Sequence, residues 1–289
     1  MAYLGYFLKN SFSDVSTVWL NTYYYIRYYI KAKQGYFNRD FANPADKQNW
    51  DITFQDEFDG DTVDFANKWN KWHSENTLTE SAPENSLDCI EVKDGKLHLY
   101  TKKNEKYPAT SSRPFKTGLL NSQPYGDRFF SQQFGYFEIC CKVPSGGLDY
   151  WVAFWLYGET WPPEIDVFEF MSAEDKGTDH SKGISMTTHW GSAGKKGMKK
   201  PAQLGRTLRK FFGASVNFDE HFHTYAIRWE WDYIEWYIDN IPVYRTRYNI
   251  PDNKMELIVN NGGTGSVEGK DLPKDFVVDY IRAYQAKLT

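Results

Sequence analysis

Three acidic residues on one short segment, Glu164-Ile165-Asp166-Val167-Phe168-Glu169, are the part of this chain whose types and spacing could do chemistry. On a β-strand, residues i and i+2 face the same side, so Glu164 and Asp166 share a face. Glu169 falls at an odd offset from Glu164, and a regular strand would turn it away. One β-bulge between Ile165 and Phe168 restores the parity and brings all three carboxylates to one face. The apolar Ile165, Val167 and Phe168 then suit the core side. Gathered carboxylates repel and raise one another's pKa, an arrangement that is costly unless it is used. Cleavage of a glycosidic bond uses it. One ionised carboxylate attacks the anomeric carbon and one protonated carboxyl donates to the leaving oxygen, about 5–5.5 Å apart when configuration is retained. In that reading Glu164 is the nucleophile and Glu169 the acid/base. Asp166 between them holds the nucleophile and keeps the pair at split pKa values. A solvated acidic edge would show the same spacing. The flanks, Tyr150-Trp151-Val152-Ala153-Phe154-Trp155 and Trp161-Pro162-Pro163, argue against it, because sugar sites pair carboxylates with aromatic platforms.

The elements that must position these groups read as strands. Ile52–Phe54, Lys96–Tyr100, Gly135–Ile139, His223–Trp229, Ile234–Ile238 and Val277–Ile281 alternate apolar and polar residues and are rich in β-branched and aromatic types. Asp94-Gly95 and Asp239-Asn240 mark tight turns. Long helical periods are absent after residue 50, so the expected fold is all-β, an antiparallel sandwich. Residues 50–289 form the expected catalytic domain, and 1–49 an extension and linker. Within that extension Trp19, Tyr23, Ile26 and Ile30 recur at helical spacing, which predicts a helix that docks on this protein, on a protein partner or on a membrane surface. Residues 31–49 are polar, contain Gly35 and Pro44, and read as linker. Residues 195–210 carry seven basic residues and no acid, fitting either a solvated loop or an electropositive rim for an anionic glycan.

Composition removes some classes. Lys and Arg number 34 against 38 Asp and Glu, a net charge of −4, which provides no field for nucleic acid. Three cysteines do not make a disulfide framework. No secretory signal is evident, so the route to an extracellular polysaccharide is left open. The chain holds 11 Trp, 21 Tyr and 20 Phe, which both a β-rich core and a sugar cleft would use.

Trp161–Glu169 resembles the signature of glycoside hydrolase family 16, in the bulged form with two residues between the Asp and the second Glu. That form is typical of the family's laminarinases, agarases and carrageenases. Phe54–Gly60, Gly135–Ile139 with Lys142-Val143-Pro144, Ala153–Leu156, His189-Trp190-Gly191, Phe222–Tyr225 with Trp229, and Val278–Arg282 follow in the family's order, so the resemblance covers about residues 50–286. It implies a β-jelly-roll of the concanavalin A type, a concave cleft and a retaining mechanism without a catalytic cofactor. It also implies that Trp155 lies near the nucleophile, that Trp151 and Trp161 line the cleft, and that His189 lies close to the acid/base. Asn121 and Asn260 become sugar-binding candidates. A structural calcium is implied at Glu57, the Gly95 carbonyl and Asp279. The N-terminal segment and the basic stretch depart from the family, and the segment around Asn260 is shortened. The expected substrate is β-1,3-glucan. The alternatives are an agar- or carrageenan-like galactan, whose sulfates would need basic partners, a glycan-binding module, or a structural component of a surface or particle assembly.

Overall fold

The computed structural model describes residues 15–41, 47–70, 84–107, 114–123, 129–144, 150–159, 161–171, 183–192, 195–203, 216, 218–248, 250–263 and 272–287. They form one α-helix, α1 (Val15–Lys33), a single 3-10 turn at Leu87–Cys89, and sixteen strands. These are β1 (Trp50–Asp56), β2 (Glu84–Asn85), β3 (Ile90–Lys93), β4 (Lys96–Lys103), β5 (Phe115–Thr117), β6 (Leu119–Asn121), β7 (Gly135–Lys142), β8 (Tyr150–Gly158), β9 (Glu164–Met171), β10 (Ile184–Ser192), β11 (Lys195–Gln203), β12 (His223–Trp229), β13 (Ile234–Ile238), β14 (Ile241–Thr246), β15 (Met255–Gly263) and β16 (Lys274–Ala286). One sheet has ten strands in the order β14-β13-β12-β7-β16-β4-β5-β2, with β1 on β16 and β3 on β4; the other has six in the order β11-β10-β9-β8-β15-β6. All pairings but β2 with β5 are antiparallel.

The expected turns are present. Asp94 and Gly95 (φ 52° and 69°) join β3 to β4, and Asp239 and Asn240 (φ 48° and 62°) join β13 to β14. Two successive positive φ values match the right-handed twist of the flanking strands, which is why short Asp, Asn and Gly side chains occupy them. The core lies between the sheets. Phe137, Ile139 and Tyr225 of the larger sheet meet Phe154, Val167 and Phe168 of the smaller one. The Phe168 ring sits 4.5 Å from that of Tyr225. Burying such a side chain is worth about 1.5–3 kcal/mol.

Helix α1 packs on this protein, by a face other than the one its strongest apolar period suggests. Asn21, Tyr24 and Tyr28 are buried, whereas Trp19, Tyr23, Ile26 and Ile30 point outward. The reason is the open edge of β14. The Asn21 side chain accepts from the Arg245 N–H (2.8 Å) and donates to the Arg245 carbonyl (2.9 Å), so one amide satisfies an edge-strand residue as a neighbouring strand would. Tyr24 donates to Glu235 at 2.5 Å, and Arg245 donates to the same oxygen at 2.8 Å. The linker expectation for 31–49 needs correcting in its first half. Lys31 to Lys33 complete the helix, Phe37 is buried against Tyr28 (4.8 Å), and the Phe41 N–H donates to the Phe222 carbonyl. Aromatic side chains amid the polar residues anchor what looked like a spacer.

Candidate active site

The bulge that the carboxylates require is present in β9. Against β8, Phe168 pairs with Phe154 and Asp166 with Trp155, so Val167 is the extra residue; β10 shows the same offset between Ser185 and Thr187. Val167 and Phe168 both point into the core, and Glu169 returns to the face of Asp166 and Glu164. A bulge leaves ladder groups unpaired. Here the Asp166 carbonyl accepts from the indole N–H of Trp236, which reaches across from β13 at 2.9 Å. Sequence reasoning missed this residue, because its role depends on which strand of the opposite sheet lies beneath the bulge.

Directly opposite residues share a face. On β8, Tyr157, Trp155 and Ala153 lie opposite Glu164, Asp166 and Glu169; on β10, His189, Thr187 and Ser185 do. Beyond β8, β15 contributes Glu256, Ile258 and Asn260 to the same side. Leu119, Tyr157 and Ile258 make a small apolar cluster there, with Trp155 and Trp161 against it. The carboxylates therefore sit beside an aromatic floor.

Indole N–H groups hold both glutamates. Trp161 donates to Glu164 at 2.9 Å, and Trp151 donates to Glu169 at 3.2 Å. Trp151 is 41% exposed, so its face is open to a ligand. Trp155 donates to Asn260 at 2.8 Å, which fixes the Asn260 oxygen on the tryptophan. The Nε2 of His189 lies 3.1 Å from Glu164 and 3.2 Å from Asp166. His189 thus bridges the first two acids and lies across from Glu164, whereas the resemblance placed it by the acid/base; Ser185 is the residue across from Glu169.

Burial is the main reason the Glu164 carboxyl is pushed up to about 8. The Asp166 charge adds to it, His189 opposes it, Glu169 adds again, and the Trp161 N–H opposes. In the free site at neutral pH the proton therefore rests on Glu164, although a nucleophile must be ionised. Glu256, two strands away on the same face, is also pushed up to about 8 by burial. Only its place in β15 reveals it; the sequence Met-Glu-Leu-Ile carries no such signal.

Three expectations fail on placement. Asn121 is fully buried, and its oxygen accepts from the Gln123 N–H, so it is not open to a sugar. The calcium ligands do not fit an ion. Glu57 takes both guanidinium contacts of Arg282 at 2.7 Å, and Asp279 pairs with Lys96 at 3.1 Å, so each carboxylate is already neutralised by a cation. Gly95 forms the β3–β4 turn described above. The basic stretch is not a loop at its start: residues 195–203 are β11, the edge strand beside β10. Arg206, Arg209 and Lys210 lie outside the described residues. Among the described residues, potential metal-ligand atoms gather at Glu164, Asp166 and His189, within 4.8 Å of one another.

The model of the Glycosyl hydrolases family 16 matches residues 83–271, which include the whole bulged strand. The chain belongs to this family. Among family 16 relatives, "Glucan endo-1,3-beta-glucosidase A1" of Niallia circulans is 27% identical over 276 residues, covering 81% of this chain and 38% of that protein. The chain thus spans well under half the length of that relative. Among solved structures, the laminarinase catalytic domain from Thermotoga maritima superposes with a TM-score of 0.64 at 22% identity, covering 83% of this chain and all of that one. The kappa-carrageenase of Zobellia galactanivorans gives the same TM-score at 21% identity, covering 86% and 99%. The family 16 jelly-roll is therefore the fold of this chain.

Proposed function

We propose that residues 50–289 form a retaining endo-glycosidase that cuts internal β-1,3 bonds of a glucan outside the cell, with 1–49 appended to it. The bulge at Val167 carries the reading, because it turns Glu169 to the side of Glu164 and Asp166. The glucanase relative supports the linkage. In this mechanism Glu169 protonates the glycosidic oxygen while the Glu164 carboxylate attacks the anomeric carbon and displaces it. Water, deprotonated by Glu169, then cleaves the glycosyl ester, restoring both groups. The reactive arrangement carries the proton on Glu169, so Glu164 must release its own. The donors Trp161 and His189 favour that anion. Asp166 holds His189, and Trp151 orients Glu169. Trp155 with Asn260 offers a platform and an amide for the sugar.

Laminarin, lichenan, agarose and carrageenan digested in parallel test the substrate, and products from laminarin alone or laminarin and lichenan are expected. Cleavage of carrageenan alone would favour the galactan reading, which the Lys-rich β11 edge supports. Glu164→Gln and Glu169→Gln should each abolish hydrolysis and retain glucan binding; survival of hydrolysis in both would end the assignment. One observation favours a reversed assignment, with Glu164 as proton donor, namely its raised pKa. A 2-deoxy-2-fluoro glycosyl inhibitor decides between the two. The covalent label is expected on Glu164, and a label on Glu169 would reverse the roles.

A further inference from the structure

We propose that the outward ridge of α1 seats the protein on an anionic lipid bilayer. Docking through Asn21, Tyr24 and Tyr28 leaves Trp19, Tyr23, Ile26 and Ile30 at 72%, 57%, 51% and 47% exposure. Their steps of four, three and four residues align them in one ridge about 16 Å long. An exposed apolar ridge needs a cover. The residue types suit a bilayer surface, where Trp and Tyr occupy the headgroup level and aliphatic side chains reach the acyl boundary. Charge points the same way. Residues 15–39 contain Arg27, Lys31, Lys33 and Arg39 and no acid. Arg27 borders the ridge, and Lys33 continues it by one turn. Cations so placed are each worth about 1 kcal/mol at an anionic lipid surface.

A second copy of this chain suits the ridge less well. The four side chains leave roughly 500 Å² open, short of the about 800 Å² that each partner of a standard interface buries. Among the described residues no helix is long and apolar enough to cross a membrane, and on a bilayer α1 would lie along the surface. It covers β14, the edge of the ten-stranded sheet, whereas the carboxylates open from the six-stranded one. The seat and the reaction are thus separate surfaces, and this inference stands apart from the proposed substrate.

Flotation of the full chain with vesicles tests it. Recovery with phosphatidylcholine vesicles containing phosphatidylglycerol should exceed recovery with phosphatidylcholine alone by about tenfold and fall at high salt. A combined Trp19→Ser, Ile26→Ser, Ile30→Ser variant should lose that recovery while its melting temperature and its hydrolysis of soluble glucan are unchanged. Arg27→Glu with Lys33→Glu, which keeps the ridge, should lose the preference for phosphatidylglycerol. The proposal is overturned by no flotation with anionic vesicles, or by flotation that the serine variant retains. It is equally overturned if gel filtration shows a dimer that the serine substitutions dissociate, in a chain that ignores vesicles.

Discussion

Replacing His189 by glutamine removes the imidazole, whose protonated form favours an ionised Glu164, while the substituted amide still offers a donor. When the imidazole is protonated, unit charges at the observed 3.1 Å would attract by roughly 1.3 kcal/mol at the dielectric of water and roughly 5 kcal/mol at an effective value of 20. The two side chains keep 16% and 15% of their surface exposed, and the retained donor offsets part of the loss. The expected change is therefore about 1.4–3 kcal/mol, which is one to two pKa units. Removing a lowering influence moves the Glu164 carboxyl upward from about 8. A dinitrophenyl β-laminaribioside reads this directly, since its leaving group needs no proton and kcat/KM then follows the ionised fraction of the nucleophile. For the unsubstituted enzyme kcat/KM should rise with pH through a limb near 8. The variant's limb should lie one to two units higher, with a loss of about 10- to 100-fold at neutral pH that closes as pH rises. A loss equal at every pH would assign His189 to sugar binding. A limb that stays in place would refute the electrostatic argument and point to Glu169 as the attacking group.

Stability should also carry the imprint of these acids. Glu164 and Glu256 are raised from 4.5 to about 8, so between those values the folded chain keeps protons that the unfolded chain has lost, and stability falls as pH rises through the window. Glu256→Gln should flatten the decline and raise the melting temperature at pH 8 more than at pH 5, with a ceiling of about 4–5 kcal/mol from the shift; a larger gain at pH 5 would contradict the sign. Asn21→Leu strands both backbone groups of Arg245 at the helix junction and should cost about 1–3 kcal/mol by urea titration. An unchanged midpoint would mean that water replaces the amide freely. Trp236→Phe removes the donor to the bulge carbonyl. It should lower kcat about tenfold or more with little change in KM, since small misplacements of reacting groups are costly. Equal changes in both constants would show that the bulge holds its shape without the indole.

The strand parity that places Glu164, Asp166 and Glu169 is local, and so it was legible in the sequence. Acids at an odd offset with apolar residues between them leave few geometries besides a bulge, and the turns at Asp94-Gly95 and Asp239-Asn240 follow from φ preferences of single residues. What was not legible depends on pairing between distant segments. Glu57 and Asp279 look like cation ligands until β16 and β4 bring Arg282 and Lys96 to them. Asn121 has the register of a cleft residue, and only the packing around β6 buries it. In α1 two stripes share the helical period. The more apolar one loses the docking face because β14 presents an open backbone edge that an asparagine can close and a tryptophan cannot. The raised pKa of Glu164 has the same origin. Two of its causes, Asp166 and Glu169, lie on its own strand, whereas burial and His189 come from the strands folded around it. A motif can therefore name the reacting groups, while the proton each one carries is decided by neighbours that the motif does not contain.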